Sequence, residues 1–155
     1  MAVSSASVIG RIEPPAGTGW DETLATSGGR AAVIAEFHAL AARALGRKVS
    51  AVRVLNYVWL ESDRTPIVGA GGWHRDACHK IGHVVCVVGD RPTEFLLGEI
   101  PEAYLRNEVD AEAIRGVMRL WQPQPGEAVH IDRHTIHRRP EGVARNRMFL
   151  LGSQQ

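Results

Sequence analysis

"GGWHRDACHKIGH", residues 71–83, gathers three histidines, an aspartate and a cysteine into thirteen positions. Within it His74-Arg75-Asp76 is an H-x-D. On an extended chain residues i and i+2 face the same side, so an imidazole and a carboxylate can take hold of one ion together. A second histidine from a distant strand would complete three ligands on one face of an octahedron, with the opposite positions open. The motif alone is weak, because His130-Ile131-Asp132 is another H-x-D. That pair is followed only by nearby histidines, the last being His137, seven residues beyond His130. His74 and Asp76 have a remote candidate in His137, 63 residues downstream.

The elements that must position these groups are legible from periodicity. Residues 1–29 are rich in Gly, Pro, Ser and Thr and are expected to be irregular, with one short strand around residues 8–12. "RAAVIAEFHALAARAL" places Val33, Phe37, Leu40, Ala41 and Ala44 on one helical face, with Gly46 as the stop, predicting a helix over 30–46. "SAVRVLNYVWLE", "HKIGHVVCVVGD", "TEFLLGE", "AVHIDRH" and "RNRMFLLGS" have the β-branched content or alternation of strands. "DAEAIRGVMRLW" opens on Asp110, a good N-cap, and spaces Ile114, Val117, Met118 and Trp121 helically. Short strands separated by turns, with a β core over 50–153 and a helical insertion at 101–121, predict a single mainly β domain of sandwich or barrel type, a jelly roll among them.

Composition sets outer bounds. The 155 residues carry a formal net charge of +1, so no bulk field draws the chain to nucleic acid or membrane. Sixteen arginines stand against two lysines, Lys48 and Lys80. Two cysteines, Cys78 and Cys86, make no disulfide framework and are expected to be reduced packing residues. No apolar run has the length of a membrane span, and the opening residues lack the pattern of a secretory signal; a cytoplasmic protein is the expectation.

Taken together, these motifs resemble the 2-oxoglutarate-dependent Fe(II) oxygenases, a superfamily with a double-stranded β-helix (jelly roll) core. "LNYVWLESDRTPIVGAGGWHRDA" looks like the strand, Gly-rich loop and W-H-x-D of the proximal iron pair. "PGEAVHIDRHTIH" resembles the turn, strand and distal histidine, with Pro125, Gly126, Asp132 and His137 in register. "RNRMFLLGS" matches the last strand, and the resemblance spans roughly residues 50–153. It implies Fe(II) held by His74, Asp76 and His137, the two-histidine, one-carboxylate arrangement of non-haem iron. It also implies 2-oxoglutarate and O2 as cosubstrates, and an arginine forked onto the far carboxylate of 2-oxoglutarate, which lysine cannot imitate. Arg145 and Arg147 share strand parity; the family places its arginine nine to eleven residues past the histidine, favouring Arg147 over Arg145.

The implied reaction is hydroxylation of a small-molecule C–H bond with release of succinate and CO2; desaturation, ring closure or epimerisation are open to the same chemistry. A carboxylate at position 76 argues against halogenation. Trp73 and Tyr57 are candidate substrate contacts, with core packing the bland role for Trp73. His79 and His83 are expected outside the ligand set, His83 facing away from it. His130 and His134 are expected at surface or pocket-lining positions, and Arg133, Arg138 and Arg139 at a rim that is either solvated or attracts an anionic substrate. The chain lacks the longer helical flanks and lids of many members. An exposed sheet edge would suit a homodimer. "PGEAVHIDRHTIH" also resembles the second cupin motif, so a metal-dependent isomerase, a cosubstrate-free dioxygenase or a small-molecule-binding protein is the alternative. The first cupin motif wants H-x-H, however, and the chain has H-x-D.

Overall fold

In a computed structural model, residues 1–59, 72–76, 81–140 and 147–154 are described, the side chains of 56–59 excepted. Nine strands form two antiparallel sheets among these residues. The larger has the order β2 (Ala6–Arg11), β7 (Glu127–Ile131), β4 (His83–Val88), β9 (Arg147–Gln154), β3 (Val52–Trp59). In the smaller, β5 (Glu94–Glu99) pairs with β1 (Val3–Ser4), β6 (Arg119–Trp121) and β8 (Ile136–Arg138). No helix among the described residues is long and apolar enough to cross a membrane.

Alternation along the strands sorts side chains into three apolar layers. Val85, Phe95, Leu97, Val129 and Ile131, with Trp121, Phe149 and Leu151 against them, come from both sheets and fill the space between. The opposite faces of β4 and β9 supply Val84, Cys86, Val88, Met148 and Leu150, which α2 (Ser27–Ala44) covers with Val33, Phe37, Leu40 and Ala41. Outside the smaller sheet, Leu96 and Ile136 pack against Ile100 and against Ile114 and Met118 of the insertion. Cys86 is therefore a packing residue, and burial pushes its thiol up to about 12.

Helix α2 lies on its sheet at a point where only glycine fits. A Cβ added to Gly152 would sit 2.7 Å from the Ala41 Cβ. Overpacking at such a contact costs about 1–3 kcal/mol, so Gly152→Ala is expected to lower the denaturant midpoint by that equivalent with the slope unchanged. An unchanged midpoint would mean that α2 does not seat where described.

Four sequence expectations are corrected. Residues 1–29 are not largely irregular: they form β1, β2 and α1 (Trp20–Leu24), and Ile12 lies beyond the end of β2. Tertiary pairing and burial of Leu24 override the local Gly/Pro-rich composition. On α2, Ala44 is exposed, while Ala42 and Leu45 are buried instead. The helix from Asp110 is only α4 (Ala111–Ile114) and a 3-10 turn (Arg115–Val117), after which the chain extends into β6. Gly116 weakens the helix there, and Trp121 gains a partner across the ladder in Phe95, their ring centroids 5.4 Å apart. Asp110 does cap, its carboxylate accepting from the Ala113 N–H at 3.1 Å.

Candidate metal centre

The distal histidine is delivered by a tight turn. Asp132 accepts from the His134 N–H at 2.8 Å, and the Thr135 hydroxyl accepts from the Asp132 N–H at 3.0 Å while donating to the Ser5 carbonyl at 2.7 Å. The chain then enters β8, where alternation turns Ile136 to the outer layer and His137 to the inner one. The His137 ring lies 6.0 Å from that of Phe95. The proximal segment docks on the other edge of β8: His74 and His137 exchange both backbone hydrogen bonds, each 3.0 Å. Residues 63 positions apart are thus locked face to face, and their rings stand 4.4 Å apart.

Asp76 closes the group. Its Oδ1 is 3.4 Å from His74 Nε2 and its Oδ2 is 3.1 Å from His137 Nε2. One ligand atom from each of the three residues falls within 4.8 Å of the others, the one such group among the described residues. Cis ligands of an ion with bonds of about 2.1 Å stand roughly 3.0 Å apart, so the group could hold a metal ion.

The tautomers point the same way. His74 Nδ1 is 3.0 Å from the Gly72 carbonyl, and His137 Nδ1 is 3.0 Å from the Thr135 carbonyl. A carbonyl can only accept, so each Nδ1 carries a hydrogen. Each Nε2 faces the Asp76 carboxylate, to which it donates when protonated and beside which it can offer a lone pair to a cation when not. A backbone acceptor on the outer nitrogen is also how metal-binding histidines are generally oriented.

Electrostatics follow from this geometry. Hydrogen bonds from His137 and then His74 hold the Asp76 carboxyl well below the usual carboxylate range, against the effect of burial. The hydrogen bond to Asp76 raises His74, with burial opposing it. Without metal, the His74 contribution to stability is complete below its ordinary 6.5 and is lost as pH rises through the raised folded value. The Asp76 contribution is present above 3.8 and is lost only as pH falls through its depressed value. Metal binding needs unprotonated rings and runs oppositely. The rise in melting temperature caused by Mn(II) is thus expected to grow from about pH 5 to about pH 8, while the metal-free protein loses stability over the upper part of that range. A metal-induced rise independent of pH would exclude ligation by these imidazoles.

Beyond the triad, Arg147 at the start of β9 shares parity with Phe149 and Leu151, whose side chains line the inner layer. It is 1% exposed, its Nε donates to the Arg91 carbonyl at 2.9 Å, and its guanidinium lies 5.8 Å from the Phe149 ring. Burial first, then the neighbouring Arg139, pushes it down to about 10, with Asp90 opposing. Arg145 lies outside the described residues, as do Cys78 and His79 and the Tyr57 side chain. On the backbone, Tyr57 pairs with Phe149 in the β3–β9 ladder.

The remaining sequence candidates sort clearly. The second H-x-D is structural: His130 Nε2 contacts the Ile81 carbonyl at 2.6 Å, and Asp132 serves the turn. His83 is buried in β4, outside the triad. Arg138 is not at a solvated rim: it is 6% exposed, its guanidinium 3.5 Å from both Glu94 and Glu112 and 4.4 Å over the Trp73 ring. The cause is cross-strand register, which sets Glu94 opposite Arg138. Trp73 both packs on the outer layer and lines an open pocket of about 460 Å3 over the triad, together with His74, Arg75, Asp76, Tyr104 and Arg133. Sequence patterning does not single out Arg75 or Tyr104. The position of Arg75 between two ligands is a usable signal; Tyr104, in the insertion, gives none.

Compared with known protein families, curated proteins and solved structures, the chain matches none.

Proposed function

We propose that the two sheets form a jelly roll and that the protein is an Fe(II)- and 2-oxoglutarate-dependent oxygenase acting on a small molecule. The observation that carries this reading is the convergence of His74 Nε2, His137 Nε2 and the Asp76 carboxylate, each ring fixed by a backbone carbonyl behind it. Two histidines and one carboxylate form a facial triad that leaves the remaining positions of an octahedral ion open. When bound, iron with 2-oxoglutarate and O2 supplies the oxidising chemistry.

The chain's own residues do the rest. Asp76 neutralises part of the ion's charge, and the bridge between His74 and His137 holds both imidazoles without relying on either side chain. Arg147, buried and of the same strand parity as the inner-layer residues Phe149 and Leu151, is suited to fork onto the distal carboxylate of 2-oxoglutarate. Phe95, 6.0 Å from the His137 ring, and Phe149, 5.8 Å from the Arg147 guanidinium, belong to one apolar layer that would help to exclude water from bound cosubstrate. The open pocket lined by His74 and Asp76 would admit the substrate.

The test is aerobic turnover of 2-oxoglutarate without added substrate, followed as succinate. Succinate formation is expected to require Fe(II) and to fall to background in Asp76→Ala. Should iron bind while 2-oxoglutarate is neither bound nor consumed, a metal-dependent cupin without cosubstrate would replace this reading.

A further inference from the structure

The pocket over the triad has a chemistry of its own. Apart from the triad residues His74 and Asp76, its lining is Trp73, Arg75, Tyr104 and Arg133. The only carboxylate among these residues is Asp76, already engaged by both histidines. The two arginines differ from most others near the site. Arg138 is within ion-pair distance of Glu94 and Glu112, Arg106 of Glu102, Arg115 of Glu112 and Arg91 of Asp90. Arg75 and Arg133 make no ion pair with a described carboxylate.

Both are nonetheless placed. The Arg75 guanidinium lies over the Tyr104 ring, 5.1 Å from its centroid, and Tyr104 stands on α3 (Glu102–Leu105) of the insertion. Arg133 is fixed beside the turn that delivers the distal histidine, its Nε donating to His134 Nε2 at 3.3 Å. A cation stacked on an aromatic face keeps its edge N–H groups available for an anion. Two guanidiniums beside the candidate metal site give the open pocket a positive rim, which favours an anion there.

We infer that this pocket selects a small anionic substrate, one bearing a carboxylate or phosphate that Arg75 and Arg133 grip from either side of the triad. Tyr104 is the positioning residue for Arg75. The inference rests on the triad being the metal site, and it accounts for the insertion, which supplies the platform that aims a substrate-binding arginine. The anion end fixes the molecule, and its apolar remainder lies towards Trp73 and the metal.

The experiment compares three probes of matched shape, phenyl phosphate, benzoate and benzyl alcohol, by calorimetric titration of the full chain loaded with Mn(II) and saturating 2-oxoglutarate. Each is measured on the parent, Arg75→Gln, Arg133→Gln and Tyr104→Leu. One or both anions are expected to bind at least about tenfold more tightly than the alcohol, and each arginine variant to lose about tenfold in anion affinity, as for loss of a charge-assisted hydrogen bond. Whichever anion binds more tightly identifies the headgroup. Tyr104→Leu should weaken anion binding by a smaller factor than either arginine variant and weaken it more than it weakens alcohol binding, a pattern a merely structural role would not give. Equal binding of alcohol and anions, or anion affinity indifferent to both arginines, overturns the inference. So does an equal loss of 2-oxoglutarate affinity in Arg75→Gln and Arg133→Gln, because the pocket would then belong to the cosubstrate. Mn(II) and 2-oxoglutarate titrations on the parent separate the two levels: if neither binds, the oxygenase reading fails, and the probes repeated on the metal-free chain then overturn or uphold the anion pocket by themselves.

Discussion

His137→Ala is expected to reduce Fe(II) or Mn(II) affinity by more than about 100-fold, since even the partners that merely orient a ligand are worth about 10–100-fold. The reason is geometric. His137 is the candidate ligand held most firmly, 6% exposed in β8, with its Nδ1 against the Thr135 carbonyl. Removing its ring leaves His74 and Asp76 as a two-ligand grip at the half-exposed side of the site. The backbone bridge to His74 survives the substitution, because it uses only the main chain of residue 137. The variant should therefore fold, and its far-ultraviolet spectrum should match the parent's. Isothermal titration with Mn(II) reads the affinity directly. A loss of tenfold or less would mean that the metal is held elsewhere.

Arg147→Met separates cosubstrate from metal. The replacement keeps much of the apolar stem's volume against Phe149 and removes the fork. Truncating one partner of a buried, hydrogen-bonded charge pair costs about 2–5 kcal/mol, or roughly 30- to 5,000-fold in affinity. The loss is expected in 2-oxoglutarate binding alone, with metal affinity within about twofold of the parent, as sites without shared partners are additive. Arg147→Lys should recover little, because an ammonium offers a point charge where a planar fork is needed. If Arg147→Met bound 2-oxoglutarate as the parent does, the cosubstrate carboxylate would have to be received by another cation. Arg139 and Arg91, which stand beside Arg147, would be the next to test.

Much of the triad was legible in the sequence because its logic is local at both ends. H-x-D puts two ligands on one side of an extended segment, and a turn followed by an alternating strand presents the third. What joined them was not legible: the bridge between residues 74 and 137 is a long-range pairing that no periodicity encodes. The same limit applies to Arg138, whose sequence neighbours suggest a charged rim, whereas strand register sets Glu94 opposite it and the insertion brings Glu112 within ion-pair distance. Helix α2 declared itself through a spaced apolar face, whereas residues 119–121 had helical spacing and became a strand. There the reward of pairing with β5 outweighed a weak local preference interrupted by Gly116. Two β-sheets were foreseeable from alternation; which strands would be neighbours was not.

The pocket follows the same pattern. Arg75 is in the sequence between two ligands, but its significance depends on Tyr104, which arrives from an insertion 29 residues further along the chain. A site assembled from a proximal loop, a distal turn and an insertion becomes visible only once the three have been brought together.

The most direct measurement is anaerobic absorption spectroscopy. Fe(II) is added to the metal-free protein, followed by 2-oxoglutarate, with His137→Ala and Arg147→Met in parallel. A visible charge-transfer band that needs both additions, is absent in His137→Ala and requires far more 2-oxoglutarate in Arg147→Met is the expected result. A parent protein that binds Fe(II) but gives no band at saturating 2-oxoglutarate, or one that binds no Fe(II), would contradict the assignment.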